Sequence, residues 1–302
     1  MSAPFQHVGI IGLGLIGSSI ARALRACLPQ VRVTGFDADP ANNAAARALG
    51  FCHDVSDTAA AAVSGADLVI LAVPVGRTGA AATTIAAALS PDCVVSDAGS
   101  SKADVAAALA AALPHHAIVP AHPVAGTENS GPEAGFATLF AGRWCILTPV
   151  AGTPPDAVAR VDALWTALGA RVEIMDAAHH DLVLAVTSHL PHLIAYTIVG
   201  TASELEEVTE SEVIKYSAGG FRDFTRIAAS NPVMWRDVFL ANRDAVLTML
   251  QRFNEDLTAL QAAIRRGDGD LLEDWFTRTR TIRRSIIAEG QDDPAPDFGR
   301  RH

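Results

Sequence analysis

Val8 to Gly17 read VGIIGLGLIG, an apolar run that closes on Gly12-x-Gly14-x-x-Gly17. Such a run reads as a strand buried on both faces, and the three glycines as a tight turn into a helix. Gly12 permits the turn, Gly14 lets a ligand approach the backbone, and Gly17 lets the helix pack against the strand; Leu15 and Ile16 complete the same surface. Unpaired N–H groups at a helix start, with the positive end of the helix dipole, favour a pyrophosphate. In a chain with 23 glycines the triplet alone is weak evidence. Its specificity comes from residues 31–40, VRVTGFDADP, a β-branched, alternating run that reads as a second strand ending at Asp37. A carboxylate there accepts hydrogen bonds from the adenosine ribose 2′-OH and repels a 2′-phosphate, so the pattern predicts NAD rather than NADP. The competing reading makes Asp37 a turn former in Asp-x-Asp-Pro.

Further apolar segments follow at 67–74, 92–100, 116–123 and 143–150, with Ala-rich helical stretches between most of them, and RVEIM at 171–175 reads as the last strand. Strand and helix in alternation predict a mostly parallel, doubly wound α/β sheet covered on both faces. Beyond Met175 the pattern changes to helical runs, from Ala177 towards Glu207, Glu210 to Ser217, Pro232 to Arg265 and Asp268 to Glu289. The expected division is therefore a dinucleotide-binding domain at 1–175, an all-α domain at 176–290, and a polar, Pro-containing disordered tail at 291–302.

Composition narrows the function. A chain of 302 residues, 50% hydrophobic and 19% charged, is rich enough in apolar residues to fold as two domains rather than remain disordered. A net charge of −10 with no basic block gives no footprint for nucleic acid or an anionic membrane, and the partner expected is a small molecule. Cys27, Cys52, Cys93 and Cys145 form no Cys-x-x-Cys pair and read as reduced, mostly buried thiols of a cytoplasmic protein. The apolar N-terminus lacks the basic region of a signal peptide, and no other segment reads as a membrane span.

In a parallel sheet the ligand lies beyond the carboxyl ends of the strands, which singles out Val73-Pro74, the loop Asp97-Ala98-Gly99-Ser100-Ser101-Lys102, and His122 to Glu128. Neutral imidazole is the usual proton acceptor when a carbinol is oxidised, so His122 is the candidate base; its alternative is a histidine bonded to a loop backbone. Ser100 either orients a hydroxyl or caps the helix that follows. Ser188 and His192, four apart, share a helix face interrupted by Pro191, and can hold a polar substrate group. His189 and His192 lack a third partner at metal-ligand spacing, so no metal is expected. Arg222 and Arg226 follow a Gly219-Gly220 break and offer a guanidinium to a carboxylate, or else pair at the surface with residues such as Asp223 and Asp237.

Taken in order, GLGLIGSS, DAGSSK, HPVAGTENSG, TSHLPH and GGFRDFTRIAASNPVMWRD resemble the prephenate and arogenate dehydrogenases of tyrosine biosynthesis, over about residues 7–288. The resemblance implies a Rossmann domain followed by a helical dimerisation domain, and a homodimer. It implies NAD-dependent oxidation of the ring C4 hydroxyl of prephenate with loss of the ring carboxylate, or the same reaction on arogenate. Carried over by motif, His122 accepts the hydrogen bond of that hydroxyl and Ser100 helps orient it, with Ser101 the alternative. Ser188, His192 and Thr127 contact substrate, Arg226 anchors a substrate carboxylate, and Glu128 and Asp223 join an ionic network at the cleft mouth. Ala98 stands where the family often has Gln. The rival two-domain dehydrogenases of the β-hydroxyacid and imine-reductase types lead one to expect a catalytic lysine on the first interdomain helix; Ala177 to Ser203 contains none.

Overall fold

The computed structural model describes residues 3–127, 129–209 and 219–288. Its first half alternates as expected: β1 His7–Ile11, α1 Leu15–Cys27, β2 Arg32–Phe36, α2 Pro40–Leu49, β3 Asp54–Val55, α3 Ala59–Val63, β4 Leu68–Leu71, α4 Thr78–Ile85, β5 Val94–Asp97, α5 Ala103–Ala112 and β6 Ala117–Ile118. The strands form one sheet in the order β3-β2-β1-β4-β5-β6, with every pairing parallel. Successive side chains on a strand point to opposite faces, and both faces here are apolar. Val8, Ile10, Leu68 and Ile70 enter one buried cluster with Leu13, Ile20 and Leu24 of the glycine turn and α1. Ile11, Val69, Leu71 and Val95 enter the other, with Val63, Ile85, Val105 and Leu109 of the helices beneath. Strand order reverses between β1 and β4, and a crevice at such a switch point is where a doubly wound sheet takes its ligand.

The segment 116–123, expected as one strand, divides. After β6 the chain passes Pro120, which has no N–H to donate, and re-forms as β7 Ala121–Pro123. That strand pairs antiparallel with β8 Trp144–Leu147, which pairs parallel with β9 Arg171–Ile174, giving a separate three-stranded sheet. α6 Pro155–Ala167 lies between β8 and β9 in the chain and buries Trp165 edge-on against Phe140, with ring centroids 5.2 Å apart.

Every described element after Ile174 is helical: α7 Ala177–Leu184, a π-helical turn Ala185–His189, α8 Leu190–Thr209, α9 Gly219–Thr225, a 3₁₀ turn Arg226–Ala229, α10 Pro232–Ala241, α11 Arg243–Arg266 and α12 Gly269–Ala288. The run expected at Glu210 to Ser217 and the tail at 291–302 lie outside the described residues. One expectation is corrected. Ala177–Glu204 is long and apolar enough to cross a membrane by length and composition, with a mean hydropathy of 1.6. Histidines interrupt the run to the eye, but they lower its hydropathy too little to offset the Ala, Val, Leu and Ile between them.

By internal contacts the chain separates into two compact units, Met1–Val246 and Leu247–His302. Within the second, α11 ends in a left-handed glycine, Gly267 (φ +69°). The Asp268 N–H donates back to the Ala263 carbonyl at 3.0 Å, closing the helix end, and the Asp268 carboxylate accepts the Leu271 N–H at 3.2 Å to start α12. Cys27 is exposed; Cys52, Cys93 and Cys145 are buried and all four are free, with burial pushing Cys52 and Cys93 up to about 12.

Candidate active site

The crevice at the ends of β1 and β4 is built by close backbone packing. Gly12 adopts φ +97°, and a Cβ there would stand 2.4 Å from the Ala72 carbonyl oxygen. A Cβ on Gly17 would meet the Gly12 carbonyl oxygen at 1.8 Å, so α1 can start this close to β1 only on glycine. Over Gly14, the N-cap of α1, nothing lies within 4 Å of where a Cβ would be. That open space above a helix N-terminus fits a pyrophosphate. Asp37 stands beside it: one carboxylate oxygen accepts the Leu13 N–H at 2.7 Å and the other the Asp39 N–H at 2.8 Å. Asp37 therefore does form the local turn, yet its carboxylate also reaches the glycine loop, and Asp39 takes the capping role at α2. Val73 packs over the Gly12 position, and Pro74 leads into the short turn 75–77. These features fit NAD.

Beyond β5 the loop 97–102 is fastened by an ion pair with no solvent exposure. Lys102 Nζ donates to both Asp97 oxygens, at 2.7 and 2.5 Å, and to the Ala121 carbonyl at 2.9 Å. Asp97 also accepts the Gly99 and Ala121 amides. Burial pushes Asp97 up and Lys102 down, against the attraction between them. Because Lys102 and Asp97 both grip Ala121, they fix the residue preceding His122. Ser101 is fully buried, and its Oγ has no partner; Ser100 is half-buried.

His122, on β7 opposite Ile146, is 7% exposed. Its Nδ1 lies 2.8 Å from His180 Nε2, and His180 Nδ1 lies 2.8 Å from Asp181 Oδ1. Asp181 in turn accepts the Lys102 and Ala103 N–H groups at 2.8 and 2.9 Å, which caps α5 from a distant segment. Burial raises the Asp181 pKa, but the hydrogen bonds from His180 and the two amides outweigh it, so the carboxyl falls below its ordinary value. His122 is held well below 6.5 by burial first, then by its electrostatic interactions with His180, Lys102 and His189. It is therefore a neutral imidazole near neutral pH.

α7, the π turn and α8 carry the next group. Pro191 supplies no N–H, and the turn before it widens, with the Leu190 N–H reaching the Ala185 carbonyl. Ser188 uses its carbonyl to accept from His192 Nδ1 at 2.9 Å, and the His192 ring stacks on Trp235 at 3.7 Å. His189 is buried between these groups. Asn242 Nδ2 donates to the Asp181 carbonyl at 2.7 Å and faces His189 Nδ1 at 3.0 Å, so the imidazole accepts there and carries its proton on Nε2. Burial lowers His189 to about 4. Burial also lowers His192, as does the charge of nearby Arg226, which opens the turn after α9. The Tyr196 hydroxyl, donating to the Ser230 carbonyl at 2.7 Å, ties α8 to that turn.

The structure thus gathers His122, the Ser100 loop, Ser188, His192 and Arg226 along one series of interacting groups. Thr127 lies on an exposed loop, its Oγ1 accepting the Asn129 N–H at 3.2 Å, and Asp223 is exposed on α9. Glu128 lies outside the described residues. No group of three or more metal-binding side chains occurs among the described residues. His180, Asp181 and Asn242 have no role in the sequence reading, and Trp235 enters it only as part of the motif ending NPVMWRD. The available signal was Ala178-His179-His180-Asp181 inside an otherwise apolar helix.

Family comparisons agree over nearly the whole chain. The family model described as prephenate dehydrogenase, nucleotide-binding domain, matches residues 20–174, and that of the prephenate dehydrogenase dimerization domain matches 176–278. A cyclohexadienyl dehydrogenase of Zymomonas mobilis is 47% identical over 282 residues, 93% of this chain and 96% of that protein. A prephenate dehydrogenase of Bacillus subtilis is 33% identical over 91% of this chain and 74% of its own length. Among solved structures, the prephenate dehydrogenase of Aquifex aeolicus in complex with hydroxyphenyl propionate and NAD+ superposes with a TM-score of 0.87 at 34% identity, covering 95% of this chain and 99% of that one. On the fold, the glycine crevice and these matches together, the chain belongs to the prephenate dehydrogenase family.

Proposed function

We propose that the chain catalyses NAD-dependent oxidative decarboxylation of prephenate to 4-hydroxyphenylpyruvate, and accepts arogenate, yielding tyrosine, as a second substrate. The observation that carries the reading is His122, buried, neutral and held on β7 beside the fastened Ser100 loop. NAD, bound at the glycine crevice, supplies the hydride acceptor. His122 accepts the proton of the ring C4 hydroxyl as the C–H bond breaks, a role that contributes typically about 10²- to 10⁴-fold. Ser100 orients that hydroxyl. Once C4 is a carbonyl, the para carboxylate leaves as CO₂ and its bond electrons restore the aromatic ring, so this step asks little of the protein. Arg226 anchors a substrate carboxylate, with His192, Ser188 and Thr127 lining the pocket and Glu128 and Asp223 at its mouth.

Arogenate differs from prephenate in carrying an amino group where the keto group stands, and the 47% identical relative is called a cyclohexadienyl dehydrogenase. We place the protein in the cytoplasm as a homodimer formed through the helical half, and read Ala177–Glu204 as the wall of the site rather than a membrane span, because His180, Asp181, His189 and His192 lie on it. NADH formation with prephenate and with arogenate in separate reactions tests the function. Turnover of both is expected, turnover of prephenate alone removes the second substrate, and silence with both in protein that binds NAD overturns the proposal.

A further inference from the structure

We propose that His180 and Asp181 are positioning residues that lock His122 in one tautomer, with its proton on Nδ1 and its lone pair on Nε2. The lock rests on the reading of His122 as the proton acceptor, and its direction is set from the Asp181 end of the contacts inward. Asp181 receives two backbone N–H groups, from Lys102 and Ala103, and these are obligate donors. A carboxylate so placed is an acceptor only, so the His180 nitrogen facing it at 2.8 Å, Nδ1, must carry the hydrogen. In the proposed lock His180 carries a single N–H, the one facing Asp181, and its Nε2 is the acceptor. The nitrogen of His122 that faces it at 2.8 Å, Nδ1, is then the donor. What remains to His122 is Nε2 with a free lone pair, the state a base needs for a substrate hydroxyl.

The arrangement is rigid as well as directional. The two rings meet edge to face, with centroids 5.1 Å apart and planes at 70°. His180 has no solvent exposure, and Asp181 is anchored at the N-terminus of α5, next to the Lys102 that holds Ala121. The Asn242 side chain, bonded to the Asp181 carbonyl, fixes the same segment from α10's end. One residue of α7 thus sets the direction of a base brought in by a strand 58 positions earlier. The device parallels the carboxylate that holds the imidazole of a serine-protease triad, with a second histidine interposed.

The test compares His180→Phe, His180→Gln and His122→Asn in NAD-loaded enzyme, together with NMR of protein carrying nitrogen-labelled histidine. His180→Phe removes the acceptor and frees both His122 tautomers; kcat should fall at least about tenfold while KM and NAD affinity hold. His180→Gln offers an amide oxygen to the same N–H and should recover part of the lost kcat, which a merely space-filling role does not predict. In the wild-type spectrum the Nδ1–H form of His122 should dominate, and in His180→Phe the two forms should mix. An Nε2–H form of His122 in the wild type overturns the lock, as does an unchanged kcat in His180→Phe when His122→Asn is inactive. Full activity in both His180→Phe and His122→Asn overturns the reading of His122 itself.

Discussion

At the scale of single residues, burial sets the chemistry. His122 and His189 both lose basicity because a charge in their surroundings is poorly solvated, and His122 is further disfavoured as a cation by His180 and Lys102. The sign for catalysis follows. A base whose pKa is lowered stays unprotonated as pH falls, so kcat/KM should hold level through pH 6.5 and drop only in more acid solution; an acid limb centred at or above 6.5 contradicts the assignment. His122→Asn should lower kcat by about 10²- to 10⁴-fold with KM nearly unchanged, as expected for an interaction made only as the hydroxyl ionises. Arg226→Ala should do the reverse, raising KM about tenfold or more with a smaller change in kcat, because a carboxylate anchor acts on bound substrate before and during reaction alike. Initial-rate measurements over both substrates separate the two patterns. The residue types His, Ser and Arg at these motifs were legible in the sequence because each follows a strand end or a glycine break. The support beneath them was not: His180 and Asp181 are neighbours on a helix, where spacing arguments look for pairs three or four apart.

At the scale of elements, periodicity exposed the parallel sheet and hid the second one. Val8, Ile10 and Ile11 on β1, and the unbroken LVIL of β4, announce strands covered on both faces. Nothing local in HAIVPAHP says that Ile118 pairs with Val95 while Ala121 pairs with Leu147; only partners distant in sequence decide it, and Pro120 marks the place. The π turn at 185–189 is similar, since Pro191 announces a lost N–H but not how the helix absorbs it. Helix ends are the opposite case, being local. Gly267 holds φ +69° with nothing within 4 Å of a would-be Cβ, so Gly267→Ala meets no clash and the penalty is the left-handed backbone alone. Unfolding in urea should show a loss of about 1 kcal/mol or somewhat more with an unchanged slope. A loss near zero would mean the α11–α12 turn relaxes into another conformation.

At the scale of the molecule, the residues from 247 onward carry exposed apolar side chains: Leu247, Ile264, Phe276 and Ile282 are 55, 66, 56 and 55% exposed. Scattered exposed leucines are ordinary on a monomer, but these recur along two successive helices, and Leu247, Ile264 and Phe276 fall within the segment 176–278 matched by a dimerization-domain family model. Two copies each of net charge −10 repel, and at physiological salt that repulsion is screened within about 8 Å, so burial of apolar area of the order of 1,600 Å² is what must hold a pair together. Ile264→Glu with Phe276→Glu places four carboxylates in such an interface, and light scattering should then report about half the wild-type mass. If Asp223 and Glu128 form a cleft-mouth network shared between copies, the monomeric variant should also bind NAD normally while its KM for prephenate rises, because the glycine crevice lies wholly within residues 1–246. A variant that is monomeric yet keeps its KM confines the network to one chain, and a variant that keeps the full mass removes these helices from the interface.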